Sequence, residues 1–234
     1  MSKHFVSNKD ESVRMFRSDV MERFTRVHPV VPHVLFVPVV VFSLWKSGVG
    51  AAASAGLFLG GLFLWTFVEY MMHRFVFHAP DHVMEETHDI VAALGPGEAV
   101  VPKLPSWRHT VYFISHGVHH DYPSDSKRLV MPPGVSVPLA TAFWFLFLSL
   151  FGMVLAPALF GGFVMGYLIY DTIHFAVHHF SVPTAAGKFL KRKHHRHHFL
   201  DPDEDYGVSS PLWDLVLGTF GKRPNKAGGL ETPH

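Results

Sequence analysis

Nineteen of the 234 residues are histidine and none is cysteine. Disulfides, thiolate zinc sites, iron–sulfur clusters and cysteine nucleophiles are excluded together, so any metal must take nitrogen or oxygen ligands. Twelve of the histidines fall into four clusters: His73 with His78; His116, His119 and His120; His174, His178 and His179; and His194, His195, His197 and His198. Imidazole nitrogen suits iron, zinc, copper or nickel, and a cytosolic setting leaves iron and zinc as the commoner candidates.

Spacing indicates how many ions such a set serves. On a helix the first histidine of HxxHH shares a face with the residues three and four later, while the two adjacent histidines diverge by about 100°. His119 and His120 then reach different ions, and the same logic applies to His194, His197 and His198. Two copies of the motif favour two neighbouring metals over one. His174 and His178, four residues apart, project together. With His73 and His78 the candidate ligands number ten: His73, His78, His116, His119, His120, His174, His178, His194, His197 and His198. His179 and His195 are left over by spacing, as residues behind the ligands or on the surface. The lone His4, His28, His33, His82, His88, His109 and His234 keep a structural reading. Glu69 precedes His73 by four residues and Asp171 precedes His174 by three. Each carboxylate can therefore accept the second ring N–H of its histidine and fix the tautomer; direct ligation is the rival reading for Asp171.

These side chains need elements to hold them. Mean hydropathy is +0.20 and 17% of residues are charged, too apolar for a soluble globule. A formal net charge of +1 offers no basic excess of the kind a nucleic-acid partner demands. A bilayer-crossing helix needs about 20 mostly apolar residues, and four stretches approach this at about 30–45, 51–72, 135–155 and 158–177. The expected fold is an all-α integral membrane protein whose four transmembrane helices pair into two hairpins, turning over 46–50 and at Ala156 and Pro157. A histidine-rich helical cap from 73–134 and 178–234 holds the dimetal centre. A two-span protein with two buried core helices is the alternative. Residues 1–29 carry six basic and four acidic residues and no apolar core; they read as a cytosolic segment rather than a signal peptide, ahead of a membrane domain over 30–234. Hairpins return the chain to its starting side, and of the 20 Lys and Arg only Lys46 lies in an opposite turn. The positive-inside rule then places both ends and the histidines in the cytosol.

Four stretches carry a family resemblance: EYMMHRFVFH over 69–78, HGVHHDYPSDSKRLVMPP over 116–133, YDTIHFAVHH over 170–179 and HHRHHFLDPDEDYGVSSPLWDLVLGT over 194–219. Together they resemble the integral-membrane fatty acid hydroxylase and sterol desaturase superfamily, and within it the fatty acid 2-hydroxylase branch. RLVMPP and the ending from Tyr206-Gly207 to Gly218-Thr219 separate this branch from the sterol oxidases. The resemblance implies that the ten histidines ligate two ions, functionally iron with zinc as a substitute on purification. With O2 as co-substrate, this centre hydroxylates carbon 2 of a long-chain fatty acid or sphingolipid N-acyl chain. It also places Tyr170 and Asp171 beside the centre as catalytic candidates, in a bacterial inner membrane or the endoplasmic reticulum. The family's eukaryotic members usually carry a cytochrome b5 domain, but this sequence has no HPGG haem motif and no dinucleotide-binding GxGxxG after a strand. Electrons are expected from a separate donor such as cytochrome b5, or ferredoxin with its reductase. A carotenoid or sterol hydroxylase is the alternative within the superfamily, and a metal transporter or metallohydrolase outside it.

A metal site at the membrane face lets an acyl tail stay in apolar surroundings while its polar end meets the boundary, which makes carbon 2 the methylene nearest the metals. Phe63, Trp65, Phe67, Phe143, Trp144, Phe145 and Phe147 are candidates to line such a channel, or are simply packing residues. Lys127 and Arg128 are candidates to meet the headgroup, with a solvated charge pair or pairing with Asp125 as the alternative. The stretch 81–105 reads as an insertion, and its Gly95-Pro96-Gly97 breaker suggests a surface loop over the site or a disordered excursion.

Overall fold

The computed structural model describes residues 5–221, so His4 and His234 lie outside the described residues. Among the described residues there is no strand. The helices are α1 (Asp19–Phe24), α2 (Val31–Trp45), α3 (Ala51–Met72), α4 (Asp81–Ala92), α5 (Trp107–Tyr112), α6 (Val118–Asp121), α7 (Pro133–His179), α8 (Ala185–Phe199) and α9 (Leu212–Leu217). Two π-helical turns, His73–Phe77 and Phe113–Gly117, continue α3 and α5. Ala51–Phe77 and Pro133–His179 are long and apolar enough to cross a membrane, while α2, at 15 residues, is shorter.

α7 is not one straight rod. Residues twenty apart on a straight helix are separated by about 30 Å, yet the rings of Phe143 and Phe163 lie 4.6 Å apart and those of Trp144 and Phe160 5.2 Å. The chain doubles back at Gly152, whose φ of 67° and ψ of 174° suit only a residue without Cβ. The reversal therefore precedes the expected turn at Ala156 and Pro157. Those residues lie a few positions into the second arm, where Ala156, Pro157 and Ala158 are buried in the packed core rather than exposed in a turn. α2 and α3 pack on this second arm through small residues. A Cβ added to Gly61 or Gly162 would overlap the backbone carbonyl of Leu159 or Phe58, the close approach by which membrane helices gain contact without a hydrophobic driving force. Phe36, Val40, Trp65, Phe147, Phe160 and Phe163 fill the core between them.

The stretch after His78 departs from expectation. Much of it is helix rather than loop, because Val83, Thr87 and Val91 recur at helical spacing and are buried. His88 on α4 meets Asp121 of α6 at 2.5 Å, tying this helix to the histidine-bearing segment. Gly97, with φ of 79°, makes the exposed turn that follows.

The first described residues are sewn onto the middle of the chain. The Val6 and Ser7 amides donate to the Asp121 carbonyl, Val27 donates to Lys127, and the Val100 and Val101 amides donate to Arg14 and Met15. Glu22, buried on α1, accepts from the Met15 and Phe16 amides and from Arg26 and Arg128. Arg128 also donates to the Val13 carbonyl at 2.5 Å.

Candidate metal centre

Each histidine reaches the centre for a local reason. His73 and His78 are five apart, a spacing that an α-helix would splay. The π-helical turn between them closes with the His78 amide donating to the His73 carbonyl and so brings the two rings together. His116 lies in the second π-helical turn and His120 follows on α6. His174 with His178 on α7, and His194 with His198 on α8, keep ordinary i, i+4 spacing.

The rings form two groups, His73, His78, His116, His120 and His197 in one and His119, His174, His178, His194 and His198 in the other. Within each group one nitrogen from every ring lies within 4.8 Å of the rest. Ligands on opposite sides of an ion with bonds of about 2.0–2.1 Å would stand about 4 Å apart, so either group fits one ion. Nε2 faces Nε2 at 2.9 Å between His73 and His116 and between His119 and His174, and at 2.8 Å between His178 and His194. Burial first, and neighbouring imidazoles second, push His116, His119, His197 and His198 well below the usual histidine range. A neutral imidazole has a single N–H, so five ring nitrogens converging within 4.8 Å cannot all be satisfied by N–H···N bonds to one another, and the donor set fits a pair of metal ions. The ten rings named from spacing are those brought together, with adjacent His119 and His120, and His197 and His198, divided between the groups. His179 and His195 belong to neither; His195 bonds the Val177 carbonyl at 3.2 Å.

A model of the fatty acid hydroxylase family matches residues 104–219. A dihydroceramide fatty acyl 2-hydroxylase of Arabidopsis thaliana is 36% identical over 90% of this chain and 81% of its own length. The chain belongs to the fatty acid hydroxylase family. The solved structure of full-length scs7p, in which only the hydroxylase domain is visible, superposes with a TM-score of 0.73 at 32% identity, covering 92% of this chain and 73% of that one. A fatty acid 2-hydroxylase of Rattus norvegicus is 30% identical over 89% of this chain and 56% of its own length.

In this hydroxylase two of the ten rings are backed by main-chain carbonyls. His73 Nδ1 donates to the Tyr206 carbonyl, and His197 Nδ1 donates to that of Glu204 at 2.7 Å, leaving each Nε2 for a ligand. Glu69 does not accept from His73 as expected. Its carboxylate receives the Val208 and Ser209 amides at 2.7 and 2.8 Å and the Ser209 hydroxyl. The loop that carries the Tyr206 carbonyl is thereby pinned, so Glu69 orients His73 at one remove. Glu69→Gln is expected to lower metal affinity or activity about 10- to 100-fold, as loss of such outer partners does; metal titration of the purified variant checks this. Sequence spacing put Glu69 beside His73 and missed the loop, because that contact is 139 residues away in sequence.

Asp171 is also placed differently. It belongs to neither ring group, and His174 Nδ1 has no hydrogen-bond partner among the described residues. Asp171, Tyr170 and His174 instead open together on a cavity of about 540 Å³, which His116 and His119 also line. The remaining wall is largely apolar, with Met15, Phe24, Phe77, Ile114 and Val135 among its residues. None of the seven aromatic channel candidates lines it. Trp65, Phe143 and Phe147 are spent on the helix core, Phe63 and Phe67 pack on Trp213, Trp144 packs on Phe160, and Phe145 is exposed. Arg128 borders the cavity, but its guanidinium is committed to Glu22 at 2.5 Å rather than to Asp125, while Lys127 is exposed. His88 and His109 hold Asp121 and Glu86, in keeping with a structural role.

Proposed function

We propose that this hydroxylase inserts one oxygen atom of O2 at carbon 2 of a long acyl chain, carried by a ceramide-type sphingolipid or a free fatty acid. The observation that carries the reading is the cavity, apolar along its walls and opening on His116, His119 and His174, within the roughly 300–1,000 Å³ range of small-molecule sites. His73, His78, His116, His120 and His197 hold one ion and His119, His174, His178, His194 and His198 the other. Iron is the metal proposed, since a redox-active pair supplies the O2 reduction and C–H oxidation that zinc lacks. The apolar wall holds the acyl tail and excludes water. Tyr170 and Asp171 line the same end and present polar groups to the carbon beside the lipid's polar head. Two electrons come from a separate carrier, and the second oxygen atom leaves as water.

The topology proposed is four crossings in two hairpins, α2 with α3 and the two arms of α7, with the histidines on the cytosolic side. Support comes from the reversal at Gly152 and from Lys46 as the single basic residue in either connecting turn. The chain is free of cysteine, so Ser47→Cys reports sidedness cleanly. Labelling is expected only from the side opposite the histidines, and labelling from the cytosol alone would reverse the orientation.

The chemistry is tested by supplying membranes that contain the protein with an electron donor, 18O2 and a lipid deuterated at carbon 2. The product is expected to carry 18O at carbon 2 and to have lost one deuterium. Retention of both deuteriums with hydroxylation elsewhere on the chain, or on a sterol or carotenoid ring, would reject the position assigned.

A further inference from the structure

The mouth of the cavity is built from apolar side chains that water should not be left to cover. On α1, Val20, Met21 and Phe24 are 65%, 51% and 74% exposed, and Met21 and Phe24 also line the cavity. On α5 and its π-helical continuation, Trp107, Val111 and Ile114 recur at i, i+4 and i+7 and are 71%, 48% and 37% exposed. Val111 and Ile114 line the same cavity. Two short helices from distant parts of the sequence thus turn apolar stripes outward on the rim of one opening.

Neither stripe is a loose end. α1 is fixed from its opposite face by Glu22, which bonds Arg128, Arg26 and the Met15 and Phe16 amides. α5 is held beneath by buried His109, bonded to Ser106 at 2.7 Å and Glu86 at 3.1 Å. The apolar surface continues without a break in kind into the first turn of α7, where Val135 lines the cavity and is 51% exposed. That helix is long and apolar enough to cross a bilayer. Exposed Arg17, Arg23 and Arg108 flank the stripes, and Arg108 lies over the Trp107 ring at 5.6 Å. Apolar side chains bordered by arginine, with tryptophan at the margin, match the acyl-to-headgroup boundary of a bilayer.

We propose that α1 and the Trp107–Val111–Ile114 stripe are immersed in the lipid monolayer on the histidine side and form the two jambs of a lateral opening, through which an acyl chain passes from the bilayer into the cavity. The occupant of the exposed surface is lipid. Passage of substrate rests on the function proposed above, whereas immersion does not.

Single cysteines at Val20, Phe24 and Val111, with Lys188→Cys at an exposed position of α8 as the aqueous reference, carry a nitroxide in the full-length protein reconstituted in phosphatidylcholine vesicles. Collision with O2 against a water-soluble nickel chelate is expected to place the first three labels about 5–10 Å below the lipid phosphates and the label at 188 in water. Labels at 20 and 111 that meet the chelate as freely as the one at 188 would overturn the proposal. So would labels shielded from both reagents, the result a second copy or another protein would give. Val20 does not line the cavity, so it reports even where Phe24→Cys disturbs folding. Immersed labels without any 2-hydroxylated product would leave the membrane surface standing and remove the substrate reading; labels in water with normal product would do the reverse.

Discussion

Replacing His119 and His120 one at a time is expected to empty different halves of the centre. They are neighbours in sequence, yet His119 stands with His174, His178, His194 and His198, and His120 with His73, His78, His116 and His197. Each variant should lose the ion on its own side first, so metal analysis should fall from about two ions per chain toward one. Hydroxylation should fall on the order of 100-fold or more, at or beyond the upper end of what loss of a mere outer partner costs. Pairing His119→Ala with His174→Ala should do little further harm to metal content, since both strip the same ion, whereas His119→Ala with His120→Ala should remove both. A result in which the two single variants show the same metal deficit at the same ion, read by the spectroscopic difference between the sites, would count against two separate groups.

The second large effect is expected at a residue that touches no metal. Lys193 is buried on α8, with its ammonium 2.7 Å from Asp214, 3.9 Å from Asp205 and donating to the Gly207 carbonyl at 2.5 Å. Asp205 also takes Arg196 and the Gly221 amide, and its own φ is 62°. Lys193→Met would leave the Asp214 carboxylate buried without its counter-charge, while Asp205 keeps Arg196, a change that costs about 3–5 kcal/mol in folded proteins. Thermal unfolding in detergent measures the loss. Metal affinity should fall with it, because this network holds the 204–207 loop whose carbonyls orient His73 and His197. Unchanged unfolding and metal content in this variant would show that the ion cluster does not set the loop.

Much of the centre is legible in sequence because histidine spacing on helices is a local property. The i, i+4 pairs on α7 and α8 and the split of adjacent histidines follow from 3.6 residues per turn. The pairing of His73 with His78 needs a π-helical turn, which no periodicity announces. Glu69 and Arg128 escape local reasoning for a different reason. Their partners, Val208 and Ser209 for one and Glu22 and Val13 for the other, are more than 100 residues away, and one sequence gives no means of seeing such contacts. Aromatic residues in an apolar span look alike whether they line a channel or pack a core, so Trp65 and Phe143 gave no sign that the cavity lay elsewhere. The two apolar stretches of α7 announce a reversal, but Ala156-Pro157 marks it a few residues past Gly152, where the chain turns.

The stitching of residues 6–27 onto residues 100–128 sets an order on biosynthesis. Val27 leaves the ribosome about a hundred residues before Lys127, the carbonyl its amide will meet, an interval of roughly 5–20 s at ordinary elongation rates. Throughout that wait Glu22 is a carboxylate without Arg128, and Met15 and Phe16 are apolar side chains without the wall they complete. Residues 6–27 are made well before their partners and are therefore among the last to settle. A nascent chain halted before Arg128 should leave residues 6–27 open to protease, and one that has passed Arg128 should protect them.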